Sequence, residues 1–311
     1  MGLFHNLVSM TTFHGSPFLS NIVPAAAVAY GINVGLGVPS IFKRTELLFD
    51  FSGGLTFIFT LLSCLFAPLL RSSGGLGDGL GSSIRACNWR QVTITGASAL
   101  YSIRLYSYLI HRLIRKGHDA RFDQTKHKPR RFFVIWMAQA TWVLLCAMPV
   151  MAVDAVSPSA LPDHFTATDV IGGIVFVVGF AIETTADYQR NTWIKEKLAK
   201  IHDEQFMTRG LFSRSRYPHY FGDIMLWVGM AILSAGVLVT GSVQADLGWG
   251  GLTGCLKAIL LPALAPSFAA WGLLKVTGVP PSERKYDKLY GHRKDYQEWR
   301  FRTPLLIPKI F

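Results

Sequence analysis

Seven separate stretches of this chain are apolar for about the 20 residues that a helix needs to cross a hydrocarbon layer of about 30 Å. They fall at approximately 18–40, 47–70, 92–113, 132–153, 168–187, 221–243 and 250–274. Backbone polar groups in lipid must be satisfied within the segment, so stretches of this length predict helices. The expected fold is an all-α integral membrane protein, a seven-transmembrane helix bundle. The first stretch is interrupted by Pro24 and Asn33, which a helix covered by neighbouring protein tolerates.

Charge placement supports this reading. The 311 residues are 50% hydrophobic and 16% charged, with a formal net charge of +12, and the mean hydropathy is +0.31. In a soluble protein such a basic balance would suggest a nucleic-acid partner, but here the cations sit between apolar blocks, so no nucleic-acid partner is expected. Segment 111–131 holds eight Lys and Arg, 188–220 holds seven and 275–311 holds nine, whereas 154–167 and 244–249 hold none. Because cytosolic loops retain Lys and Arg, the N-terminus is expected outside and the C-terminus in the cytosol. The glycine-rich loop 71–91 is the exception, carrying Arg71, Arg85 and Arg90 on the outer side.

That loop, GGLGDGLGSS from Gly74, has no GxGxxG register and follows a helix, so it reads as a linker. Cys64, Cys87, Cys146 and Cys255 are scattered without ligand spacing, which predicts reduced packing residues and no metal site. Asn6 spoils the acylation pattern begun by Met1 and Gly2, and no cleaved leader is expected. The chain divides into an N-terminal segment 1–17, a membrane domain 18–274 and a cytosolic C-terminal segment 275–311.

Ionisable residues inside spans are costly and therefore mark candidate sites. Asp50 lies in the second span and Arg104 in the third, with Tyr101 one turn from Arg104; the two charges are either a site or a buried ion pair. In the fifth span Glu183, Asp187 and Asn191 recur every four residues, with Arg190 beside them, forming a polar stripe or a helix end reaching into the headgroups. The run Arg209 to Asp223 is punctuated by Gly210, Pro218 and Gly222 and carries Arg214, Arg216, Tyr217, His219 and Tyr220. Arginine forks and tyrosine faces at a membrane mouth suit an anionic, partly planar ligand, although positive-inside charge and an aromatic belt explain them singly. The tail from Glu283 to Pro308 reads as an amphipathic surface helix ending in an apolar anchor.

These residues also carry a resemblance. Gly117-His118-Asp119-Ala120-Arg121-Phe122, Gln139, Ala186-Asp187-Tyr188-Gln189-Arg190, Gly210-Leu211-Phe212, Ser215 through Asp223, and a tail of Glu283, Tyr286, Tyr290-Gly291, Tyr296, Thr303-Pro304 and Ile307-Pro308 resemble the steroid 5-alpha-reductase superfamily, over about 50–311. The resemblance is to its bacterial and fungal branch of uncharacterised membrane proteins. It implies a seven-helix reductase of a carbon–carbon double bond conjugated to a ketone in a steroid-, sterol- or terpenoid-like lipid. NADPH would sit in a cytosol-facing pocket completed by the C-terminal segment.

Carried over residue by residue, the resemblance implies cofactor binding by Glu183, Asp187, Arg190, Arg214, Arg216, Tyr217, His219, Tyr220, Asp223, Tyr286 and Arg302, and catalysis by Asp50 and Tyr101. The usual motif of this branch reads Arg-His-Pro-Asn-Tyr-Phe-Gly-Glu; this chain places Tyr217, His219 and Asp223 where that motif has His, Asn and Glu. Hydride delivery to an enone builds charge on the carbonyl oxygen, so a protonated Asp50 with Tyr101 as second donor would stabilise it. An ion-paired Asp50 would not.

The lipid substrate is expected from the bilayer, in the endoplasmic reticulum membrane of a eukaryote or the inner membrane of a bacterium. Two other readings stand beside this one. Isoprenylcysteine carboxyl methyltransferases share the Arg-His-Pro-x-Tyr-x-Gly turn but bind S-adenosylmethionine, and a lipid-binding membrane protein could keep the fold without catalysis.

Overall fold

The computed structural model describes residues 16–72 and 86–309. The terminus at Met1 and Gly2 and the glycine-rich stretch from Gly74 lie outside them. Every regular element among the described residues is helical: α1 (Pro17–Phe42), α2 (Phe49–Ser72), α3 (Trp89–Lys116), α4 (Pro129–Cys146), α5 (Met148–Asp154), α6 (Ala167–Leu198), α7 (Pro218–Leu238), α8 (Gly241–Asp246), α9 (Gly251–Trp271), α10 (Val279–Tyr290) and α11 (Lys294–Arg302).

Five helical stretches are long and apolar enough to cross a membrane: α1, Phe49–Pro68 of α2, α6, α7, and α9 with its continuation to Tyr290. A sixth is the pair α4 and α5, bent by 55°. Pro149 enters the first turn of α5, where its ring cannot continue the preceding ladder, and this sets the bend. The expected third span is helical as α3, but it carries Arg90, Arg104, Arg112, Arg115 and Lys116, and falls short on hydropathy. The protein is a multi-pass integral membrane protein.

The chain divides into two compact units, residues 1–166 with 234–265, and residues 167–233 with 266–311. In the first, α1, α2, α3 and α4 pack together. Gly37 lets the Trp136 ring lie where a Cβ would sit, and Phe49, Phe122, Phe132 and Trp136 stack into one aromatic cluster. Asn88 caps α3 reciprocally with Gln91. Arg90, the apparent exception to the charge rule, is fully buried; it lies over the Trp89 ring and donates to the carbonyls of Pro162 and His164. It is a structural clamp.

In the second unit α6 and α7 cross antiparallel through glycines seven residues apart. A Cβ on Gly172 would lie 2.7 Å from the Gly229 carbonyl oxygen, and one on Gly179 would lie 2.8 Å from that of Gly222. Helices in lipid gain little from burying apolar area, so such close approach is what lets dispersion hold them. Gly173, one residue from Gly172, has nothing within 4 Å of its missing Cβ. Gly172→Ala is therefore expected to destabilise the protein by about 1–3 kcal/mol, as overpacking does. Gly173→Ala should leave the thermal midpoint in detergent unchanged, and equal midpoints for the two variants would refute the account.

Candidate functional site

The second unit gathers motifs far apart in sequence. Gln189, near the end of α6, accepts at 2.9 Å from the backbone N–H of Leu211, and Gly210 takes φ 58° directly against that side chain. A Cβ there would be strained by the dihedral and blocked by the amide. Segment 214–217 then runs beside the C-terminal tail. Arg216 N–H donates to Pro304 O at 2.9 Å, Tyr217 N–H to Leu305 O at 3.2 Å, and Lys309 N–H to Arg214 O at 3.0 Å. The buried Ser215 hydroxyl donates to Leu306 O at 2.7 Å.

Side chains close the arrangement. Glu283 of α10 accepts from Arg216 Nη1 at 2.6 Å and from the Tyr217 hydroxyl at 2.7 Å, while Arg300 Nη2 approaches it at 3.1 Å. Arg300 also bonds Asp287, which accepts from the Tyr296 hydroxyl at 3.3 Å. Burial, then the bond to Glu283, raises the Tyr217 phenol above its ordinary value; burial, then the charges of Glu283 and Asp287, pushes Tyr296 up to about 12. Both are neutral hydrogen-bond donors near pH 7. Tyr217 stacks on Tyr220 at 5.4 Å with planes 5° apart, and His219 lies 4.1 Å from the Tyr220 ring and 5.9 Å from that of Phe212.

The α6–α7 crossing positions the remaining polar residues. The missing Cβ of Gly222 lies against Glu183, so Glu183 sits at the level of Gly222 and Asp223, and the same register sets Asp187 level with the first turn of α7. Glu183 and Asp187 are both buried. Of the residues expected to bind a cofactor, Arg216, Tyr217, His219 and Tyr220 share one aromatic and basic cluster, and Glu183, Asp187 and Asp223 share the crossing. Arg190 lies one turn beyond Asp187, and Arg214 is exposed beside the tail. Tyr286 stacks with Tyr290 at 5.9 Å. Arg302 is exposed at the end of α11; the tail arginine that enters the cluster is Arg300.

Sequence reading passed over Arg300, Asp287 and the anchoring role of Glu283. Glu283 and Asp287 are four apart, as are Tyr296 and Arg300, and that spacing was the available signal. The tail is also two helices broken at Gly291 and followed by a non-helical end, rather than the single surface helix expected.

In the first unit Asp50, 5% exposed, accepts from Arg121 Nη2 at 3.3 Å. Arg121 also donates to Asp119 through Nε at 2.8 Å and Nη2 at 2.5 Å. Of the two readings of Asp50, as a site or as an ion pair with Arg104, the structure shows an ion pair but with Arg121, whose loop position in Gly117 to Phe122 returns it to the helix end. Tyr101 packs edge-on to Phe57 and Tyr106 fills the space over Gly53. This antiparallel register of α2 and α3 sets Tyr101 two turns from Asp50, about 10 Å along the axis. The two expected catalytic groups do not reach one carbonyl oxygen together. An apolar groove of about 470 Å³ in this unit is lined by Val38, Ile41, Phe42, Phe133 and Val134, with Arg130 at its rim.

A family profile described as "Protein of unknown function (DUF1295)" matches residues 40–303, and the chain belongs to that family. No curated protein and no solved structure matches the chain.

Burial alone would raise the Asp119 carboxyl, but the hydrogen bonds and charge of Arg121 outweigh it and hold Asp119 below the usual carboxylate range. A depressed folded-state value stabilises above the unfolded value, about 3.9, and that stability is lost as pH falls through the folded value. Thermal midpoints should therefore drop on acidification below about pH 4. Asp119→Asn is expected to melt lower than wild type at pH 7 and to show a shallower drop; an unchanged acid profile would count against the Asp119–Arg121 contribution.

Proposed function

We propose that this protein is an NADPH-dependent membrane reductase that adds one hydride and one proton across a carbon–carbon double bond, conjugated to a ketone, in a steroid-, sterol- or terpenoid-like lipid. The observation that supports it is the convergence of three distant segments, 186–190, 209–223 and 283–309, on one basic and aromatic cluster in the second unit. Bound NADPH would supply the hydride.

The residues present fit such a group. Arg216 Nε is buried without a hydrogen-bond partner among the described residues, a charged donor of the kind phosphate oxygens take up. Arg214 and Arg300 add cationic groups beside it. The stacked Tyr217–Tyr220 pair offers a flat face to a heteroaromatic ring. Glu183 and Asp187, buried on one face of α6, are acceptors for ribose hydroxyls or a carboxamide.

Proton delivery is the role that the resemblance gives to Tyr101, a phenol of α3 only 4% exposed, since a phenol can donate to an oxygen that gains negative charge in an apolar setting. Asp50 is held at the helix end by its ion pair with Arg121. The apolar groove along α1 and α4 accords with a substrate that arrives through the bilayer.

The test is thermal stabilisation of the purified protein by NADPH and, separately, by S-adenosylmethionine. NADPH at about one hundred times its dissociation constant should stabilise by about 2.7 kcal/mol. Arg216→Gln is expected to weaken that binding about tenfold or more, the worth of a charge-assisted hydrogen bond. Stabilisation by S-adenosylmethionine alone would overturn the reading in favour of a methyl transfer. With an enone lipid as substrate, Tyr101→Phe should lose turnover while keeping NADPH stabilisation, whereas full activity in Tyr101→Phe would discard the donor assignment.

A further inference from the structure

The first unit contains a polar seam that the cofactor cluster does not use. On α2, Ser52, Thr56, Thr60 and Ser63 repeat at helical spacing and are all buried. On α3, Gln91, Thr95, Ser98 and Ser102 do the same. The contacts of Phe57 with Tyr101 and of Tyr106 with Gly53 fix the antiparallel register, which sets Ser63 level with Thr95, Thr60 with Ser98 and Thr56 with Ser102.

Other elements extend the seam at both ends. Asn33 of α1 donates to the Thr56 hydroxyl at 2.8 Å, and Gln139 of α4 donates to the Ser52 hydroxyl at 3.2 Å. At the far end Thr95 donates to Asp154 Oδ2 at 3.0 Å, and Asp154 is fully buried. Ser52 to Ser63 alone spans about 17 Å of helix, more than half of a hydrocarbon layer.

Hydroxyls between membrane helices often serve as packing glue, and glue is hydrogen-bonded. Here Asn33 Oδ1, Thr60 Oγ1, Ser98 Oγ, Ser102 Oγ, Gln139 Oε1 and Asp154 Oδ1 are buried and have no hydrogen-bond partner among the described residues. Each such group costs about 1–3 kcal/mol if left dry, and six of them gather along the seam. Water supplies what they lack, since an internal molecule bonds two to four polar groups.

We propose that this seam binds a file of ordered water molecules running from Asp154 toward Gln139, and that the file carries protons to the level of Tyr101. Tyr101 lies one turn from Ser98 on α3, so it flanks the file midway. When Tyr101 gives its proton to substrate oxygen, the adjacent water reprotonates it, each molecule of the file takes a proton from the next, and solvent water beyond the Asp154 end supplies the last one. That use of the proton rests on the reductase reading; the hydration does not.

The experiment is X-ray hydroxyl-radical footprinting of the full protein in nanodiscs, with water itself as the probe, because radicals form where water is bound. Phe57 and Tyr101, which meet across α2 and α3, flank the seam and are at most 4% exposed. They are expected to label at rates typical of exposed residues, and labelling at the rate of buried residues elsewhere would overturn the proposal. A variant with Thr60→Val, Ser98→Ala and Ser102→Ala should lose that labelling and melt lower than wild type. A dry seam predicts the reverse, since removing unsatisfied hydroxyls stabilises, so an equal or higher midpoint would also overturn it. Wild-type labelling decides the matter by itself if the variant does not fold. Labelling without NADPH stabilisation would leave the hydrated seam standing and remove the reductase.

Discussion

The approach of α6 to α7 at backbone distance is the contact on which the second unit depends. Gly172 and Gly179 on one helix meet Gly229 and Gly222 on the other, and every polar residue assigned to the crossing takes its level from that register. Glu183 backs onto Gly222, which is why the carboxylate is buried although it sits inside a span. A larger residue at any of the four positions would separate the helices and, with them, the acidic groups of α6 from the first turn of α7.

The first unit solves a different problem. Its helices carry many hydroxyl and amide side chains, so their contacts are made as much by Asn33, Gln91, Thr95 and Gln139 as by the aromatic cluster around Trp136. Charges at its ends are absorbed in the same way, Arg90 by two loop carbonyls and Asp50 by Arg121. Each group is expensive in lipid by itself and inexpensive once bonded within the bundle.

Helix positions were legible because apolar length is a one-dimensional signal, and six of the seven stretches coincide with helices that pass as spans, one of them bent. The third, α3, was legible as a helix, but its cations dilute the hydropathy that would mark a span. Motifs announced the cluster at 209–223 through Gly210, Pro218 and Gly222, whose backbone demands are local. What could not be read was which tail residue would face it. Arg302 and Arg300 differ by about 200° around a helix axis, and only the break at Gly291 decides between them. The partner of Asp50 was illegible for a related reason: Arg121 is 71 residues away and reaches it through a loop, whereas Arg104 merely shares the hydrophobic context.

Glu283 deserves to be considered as an occupant. It holds Arg216, Tyr217 and Arg300 at once, so the cluster already contains an anion belonging to the chain itself. Arg216 Nε is not used by that carboxylate, but an anion that competed for the whole guanidinium would displace Glu283, and the position of α10 would then be thermodynamically linked to occupancy. Linkage is reciprocal. Whatever tightens the hold of α10 on segment 214–217 must weaken anion binding by the same factor, and a bound anion must loosen the tail to the same extent.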